Sequence, residues 1–296
     1  MRRLALTLIA PVLTLALVSA QSARPATSQK LFMWVVTAPG APPTYLLGSL
    51  HLLSAEYYPL PEPIESAFKQ STVLIEEVDI DEMTNPAVAF PLIGKSMFMD
   101  GRTLDKVIAP ELYKQVVERG AKAGIPAQAL QRMKPWMAAA TLTMPSLQAA
   151  GFNTENGVDK YFFDKAKAAG MERRPLETVA YQFDRLDQMP APVQEAMLRS
   201  VIADIDTQLS SVKTIATAWS IGDTATLEKL LLGSMRETPE LYDRLLTQRN
   251  RNWVAPVEAC LAEKKSCFVV VGAAHLVGRD SLVSLLQAKG HKLAQR

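Results

Sequence analysis

A chain of 296 residues, 48% hydrophobic and 21% charged, has the length and apolar content to bury a substantial core. That excludes an intrinsically disordered protein. Its formal charge is only +2, and it falls to zero without Arg2 and Arg3, so nothing electrostatic favours nucleic acid or an anionic membrane as partner.

Met1-Arg2-Arg3, an apolar stretch to Val18 and the small residues Ser19-Ala20 read as a secretory signal peptide cut near Ala20. The stretch is short and broken by Pro11, so no lasting membrane anchor is expected and the product is periplasmic or secreted. Residues 21–296 are then expected to form a single domain. Residues 31–36 and 45–50 flank Ala38-Pro39-Gly40-Ala41-Pro42-Pro43 and predict an opening β-hairpin. Residues 61–70 predict a short helix, and residues 73–80 a strand that runs into acid. Strict alternation along that strand sends Glu77 to the face of Val73 and Ile75, and Glu76 to the opposite face.

From about 110 to 246 the chain turns helical. Met197, Val201, Ile205, Leu209, Val212, Ile215, Ala216 and Trp219 recur at three or four residues and predict one long amphipathic helix. A short strand at 174–177 interrupts the helices. A helix at 249–263, a strand at 268–271 and a covering helix at 280–288 follow. Cys260 and Cys267 are the only cysteines, and in an oxidising compartment their simplest state is a local disulfide.

Two of the three histidines end the same pattern, a strand-like run followed by Gly-x-x-His. They are Tyr45-Leu46-Leu47-Gly48-Ser49-Leu50-His51 and Phe268-Val269-Val270-Val271-Gly272-Ala273-Ala274-His275. Ligands collect at the carboxyl ends of strands in open α/β sheets, and imidazole there serves as metal ligand or general base. Glu77, at the end of a neighbouring strand, is the natural acid beside His51. Asp159 opens a helix, where it also suits the helix dipole. Glu177 ends the short strand, where it or Thr178 also suits a helix cap. Arg249 stands four residues from Trp253, a spacing that also suits simple stacking. Together these groups suffice for a divalent metal or a polar hydrolytic site. No His-Glu-x-x-His helix, Gly-x-Ser-x-Gly elbow or phosphate loop is present.

Six motifs in order resemble the TraB/GumN family, which includes the animal TIKI proteins. They are Leu47-Gly48-Ser49-Leu50-His51, Glu77-Val78-Asp79, Gly157-Val158-Asp159, Leu176-Glu177-Thr178 with Gln182, Arg249-Asn250-x-x-Trp253, and Val271-Gly272-Ala273-Ala274-His275-Leu276-Val277-Gly278. The resemblance implies an α/β fold of the EreA/ChaN-like type, a mixed sheet drawn from both ends of the chain with a helical insertion at about 110–246. It implies metal-dependent hydrolysis of a peptide bond, with His51, His275 and Glu77 around a manganese, cobalt or zinc ion. Glu177 or Asp159 would act as supporting partner or general base, and Arg249 would steady an anionic group. The same fold also implies a second class, a non-catalytic protein binding haem, metal or an envelope ligand; a third reading is an assembly or regulatory protein with a relict site. Expected partners are a peptide or small-molecule substrate and at most a second copy of the chain. The chain departs from the family pattern in Ser49-Leu50, where Thr-Ile is usual. It also ends shortly after Gly290-His291-Lys292-Leu293, leaving little length for the usual closing strand.

Overall fold

The computed structural model describes residues 30–296; the expected signal peptide lies outside the described residues. Six strands form one mixed sheet in the order β4-β3-β5-β2-β1-β6. β1 (Met33–Thr37) and β2 (Thr44–Ser49) are the predicted antiparallel hairpin. β3 (Val73–Glu76), β4 (Glu172–Pro175) and β5 (Cys267–Gly272) run parallel to β2, with Ser49 opposite Gly272 and Glu76 opposite Val270. The carboxyl ends of four parallel strands therefore open on one edge, where ligands collect in such sheets. β5 lies at the centre of these and is buried from Cys267 to Val271, the continuous apolar run expected of a strand covered on both faces.

A closing strand does form: β6 (Lys292–Gln295) pairs antiparallel with β1. Four residues are enough because β1 supplies the template and Gln295 Nε2 donates to the carbonyls of Leu31 and Gly222.

Two apolar cores divide the molecule. The first wraps the sheet and includes Phe32, Phe162, Trp219, Trp253 and Phe268. The second is purely helical, with Leu104, Leu112, Val116, Leu130, Leu142, Leu198 and Ile202. Between the helices of the second core the chain returns to the sheet through the helix Val158–Ala168 and β4. The single long helix expected around 197–219 is two helices, Ala191–Asp204 and Gln208–Ser220. Leu198 and Ile202 serve the helical core, whereas Ala216 and Trp219 serve the sheet core. One straight stripe cannot face both, and the break falls beside Asp206, which pairs with Arg119.

Cys260 and Cys267 are joined as a disulfide, with α-carbons 6.4 Å apart, within the range the bond allows. It ties the helix Gln248–Ala262 to the start of β5. Among the described residues no helix is long and apolar enough to cross a membrane.

Candidate functional site

Six of the sequence-selected side chains converge on the edge where β2, β3, β4 and β5 end. His51 follows β2 and His275 follows β5. A β-carbon placed on Gly272 would lie 3.6 Å from His51 Nε2 and 3.6 Å from His275 Cδ2. The two rings are therefore separated by no more than twice that distance at those atoms. The same point is 3.1 Å from Glu77 Oε1, so glycine at 272 is what lets the three groups approach.

Pairing between β3 and β4 continues past both strands, since the amides of Leu176 and Glu177 donate to the carbonyls of Glu76 and Glu77, each at 2.8 Å. That register carries Glu77 and Glu177 side by side. Thr178 caps the next helix, Val179–Asp187, by accepting from the Tyr181 amide, and so places Gln182 in its first turn. Gln182 Nε2 donates to Glu77 at 3.0 Å and reaches Glu177 at 3.4 Å. Arg249 and Trp253 share one helix face at i, i+4 spacing. Asp159 comes from the helix that starts at Val158, docked by the Val158 amide on the Leu50 carbonyl. A β-carbon on Gly157 would stand 2.6 Å from the His51 carbonyl, so only glycine admits that docking.

The His275 side is saturated. Asn250 Nδ2 donates to the Asp280 carbonyl at 2.8 Å, which turns its Oδ1 toward His275 Nδ1, 2.6 Å away. Nδ1 therefore carries the proton and Nε2 the lone pair, which lies 3.2 Å from Arg249 Nη1. Burial holds His275 neutral, its pKa pushed down to about 3. Trp253 packs on the ring at 4.3 Å between centroids.

Arg249 is 8% exposed and spends all five N–H groups inside the protein. Nε donates to Glu177 at 2.9 Å, Nη1 faces Leu245 O and His275, and Nη2 faces Glu77 at 2.6 Å and Glu177 at 2.9 Å. Trp253 stacks under its guanidinium at 4.7 Å and donates its indole N–H to Glu177. Glu77 in turn accepts from Arg249 and Gln182 on one oxygen and from the Gly272 amide at 2.6 Å on the other. Burial opposes its charge, but Arg249, the charged His51 ring and the Gly272 amide together hold its pKa far below the usual carboxylate range.

The expected roles change accordingly. Arg249 has no donor left for an anionic substrate group; it is the one cation shared by Glu77 and Glu177. His51, His275 and Glu77 do not present themselves as one ligand set, because the His275 lone pair faces Arg249 and both Glu77 oxygens already accept hydrogen bonds. Among the described residues no group of three His, Cys, Asp or Glu side chains is arranged to hold a metal ion.

The His51 side is open. Its side chain is 60% exposed, and its Nδ1 lies 3.1 Å from Asp159 Oδ1. The Asp159 carboxylate is the main cause of a pKa pushed up to about 9, so the ring is an imidazolium at neutral pH. Beside it is a cavity of about 40 Å³ lined by Ser49, His51, Glu76, Glu77, Asp159 and Gln182 among others.

Glu76 overturns an expectation. Both glutamates are buried and line the same cavity, because β3 stops at Glu76 and the backbone bends at Glu77 and Val78. Burial pushes the Glu76 carboxyl up to about 8. The informative sequence signal was the apolar run Val73-Leu74-Ile75, which marks a strand without a solvent face. A glutamate continuing such a run is buried whichever way it points. Ser49, Gln182 and Asn250 also lie inside the motifs, and their contacts in the fold show that they line or brace the site.

The edge thus combines an exposed imidazolium–carboxylate pair with a buried scaffold in which one guanidinium is shared by two carboxylates. The chain belongs to the TraB/PrgY/gumN family, whose model matches residues 32–295. The uncharacterized protein YbaP of Escherichia coli (strain K12) is 25% identical over 252 residues, 85% of this chain and 90% of the relative. YbaP of Shigella flexneri matches to the same extent. Metalloprotease TIKI1 of Danio rerio is 23% identical over 317 residues, covering 88% of this chain and 62% of the relative. No solved structure matches.

Proposed function

We propose that the protein is an exported hydrolase that cleaves a peptide or ester bond at the His51 side of this edge. The observation that carries the reading is the exposed His51–Asp159 pair beside a polar cavity and a buried carboxylate network. Water adds to the carbonyl carbon while the His51 imidazolium donates a hydrogen bond to the oxygen that becomes negative. As the C–N or C–O bond breaks, the imidazolium gives its proton to the leaving group and the neutral ring recovers one from the added water. Asp159 holds the ring and its charge. Glu77, fixed by Arg249, Gln182 and the Gly272 amide, lies close enough to add to that charge and keeps the His51 side polar. His275 and Glu177 serve by holding Arg249. Export is supported by the N-terminal pattern and by the Cys260–Cys267 disulfide.

The relation to Metalloprotease TIKI1 supports metal dependence. A divalent manganese, cobalt or zinc ion supplies Lewis acidity when bound. His275 and Glu77 would have to leave Arg249 before they could hold one.

The test is a screen of the exported protein on peptide libraries and aryl esters, with added manganese, cobalt or zinc and with chelator. Turnover should fall about 10²–10⁴-fold in His51→Ala and persist in His291→Ala, which lies outside both motifs. A His51→Ala variant with full turnover would sink the reading.

A further inference from the structure

A second cavity, of about 690 Å³, adjoins the sealed half of the edge and falls in the usual volume range of ligand pockets. One wall is the helical run that leads into Arg249, widened to π geometry from Asp243 to Thr247, a departure that recurs at functional sites. Arg251 continues the row of Asp243 and Thr247 at a spacing of four. Facing it are Glu228 and Arg236 from the helix Thr224–Arg236, and Arg279 and Asp280 from the loop after His275. Gly278, at φ +83°, lets that loop approach, since a β-carbon there would stand 2.9 Å from Arg236 Nη2.

The walls are balanced in number, three guanidiniums against three carboxylates, but not in use. Each carboxylate already accepts from a neighbour. Glu228 takes Arg236 Nη2 at 2.6 Å, Asp243 takes Gln248 Nε2 at 2.6 Å, and Asp280 takes the Tyr242 hydroxyl and Arg279 Nε, each at 3.2 Å. The donors are left over. Arg251 is exposed and has neither an ion pair nor a side-chain hydrogen bond among the described residues. Arg279 is 88% exposed in its side chain and touches Asp280 through Nε, which leaves its two terminal amino groups for a ligand. What fits is therefore an acceptor with negative charge.

We propose that this cavity binds an oxyanion, held between the Arg251 guanidinium and the terminal amino groups of Arg279. Guanidinium recognises two such groups by the same forked hydrogen bonds, the terminal carboxylate of a peptide and a phosphate monoester. The placement gives the ligand a purpose. Arg251 lies on the helix that carries Arg249 and Asn250, and Arg279 on the loop whose Asp280 carbonyl accepts from Asn250 Nδ2. An anion bridging the two ties that loop to the helix and so braces Asn250 against His275. The site stands apart from His51 and does not rest on the hydrolase reading.

Calorimetric titration of the exported protein with sodium phosphate, N-acetylalanine or N-acetylalanine amide, each against a sodium chloride control of equal ionic strength, reads the site directly. One anion should bind per chain, and the uncharged amide should not bind. Arg251→Gln should weaken binding about tenfold or more, the loss of one charge-assisted contact. Arg279→Gln should also weaken it, and carries the test if Arg251→Gln does not fold. Arg102→Gln, which removes an exposed charge from the helical half, should bind as the wild type does. Binding of phosphate alone assigns a phosphate pocket; binding of N-acetylalanine alone assigns a seat for a carboxylate end; binding of both retains the shared oxyanion chemistry. Absence of saturable binding by either anion, equal binding of the amide, or undiminished binding in both arginine variants overturns the proposal. So does an equal loss in Arg102→Gln, which would mark a diffuse charge effect.

Discussion

His51 and His275 each close a Gly-x-x-His turn after a strand of the same sheet, and the two strands are direct parallel neighbours. Their surroundings are opposite. His275 is 5% exposed, with both ring nitrogens committed to Asn250 and Arg249 and one face on Trp253. His51 is largely exposed, it is ion-paired with Asp159, and the cavity beside it has unpartnered walls. A repeated motif has thus been put to two uses. One copy is part of the scaffold that keeps Glu77 charged in a buried place; the other faces whatever enters. Position at a strand end is shared, and the neighbours decide between structure and chemistry.

The sharpest way to break this contrast is to remove its central cation. Arg249→Met should cost about 3–5 kcal/mol of stability, because it strands Glu77 and Glu177 as buried unpaired carboxylates. Urea unfolding reads that loss, and a cost below about 1 kcal/mol, typical of an exposed pair, would show that the network is not a scaffold. Next in size, His275→Ala should cost about 2–4 kcal/mol by unpairing Arg249 and Asn250 and opening space beside Trp253. His51→Ala should stay within about 0.5 kcal/mol of wild type while removing turnover. Equal destabilisation by the two substitutions would erase the distinction between them.

Most of the parallel edge was legible in the sequence. Gly48, His51, Gly272 and His275 lie where strand-then-glycine patterns put them, because short apolar runs cut by glycine report strand ends reliably. Glu77, Asp159, Glu177 and Arg249 could be selected but not assigned. Their work depends on partners more than 70 residues away in the chain, as in the Arg249–Glu177 and Arg249–Glu77 pairs. Glu76 was misread because alternation presumes one wet face, and β3 lies between β4 and β5 with both faces covered. The helix break near Asp206 was hidden for a related reason. Periodicity shows that a stripe is apolar, not that its two halves face different cores.

Glu76 gives a third prediction, of about 1–3 kcal/mol, the ordinary range for a buried polar group without a partner. Its carboxyl keeps a proton up to about 8 in the folded chain, against 4.5 ordinarily, chiefly through burial. Between those values the folded state binds more protons than the unfolded one, so stability falls as pH rises through the window. Glu76→Gln should match wild type at the acid end and exceed it at the alkaline end, as measured by urea unfolding in metal-free buffer. A constant difference across the window would mean that Glu76 is paired or hydrated.

The smallest expected effect compares the two imidazoles directly, since their titrations carry opposite signs. His275 is ordinarily protonated below 6.5, but burial delays that to about 3 in the folded chain. The unfolded chain therefore takes up the proton first, and stability due to His275 is lost as pH falls from 6.5 towards 3. His51 runs the other way, because Asp159 raises it from 6.5 to about 9. Its contribution is fully present below 6.5 and is lost as pH rises through 9. With the side chain 60% exposed, solvent screening should keep that contribution under about 1 kcal/mol. The His51→Gln penalty, measured by urea unfolding against wild type, should shrink across the alkaline window, and the His275→Gln penalty across the acid one. If both penalties shrank on the same side, the two histidines would share one environment, and the division of the edge into a sealed half and an open half would fail.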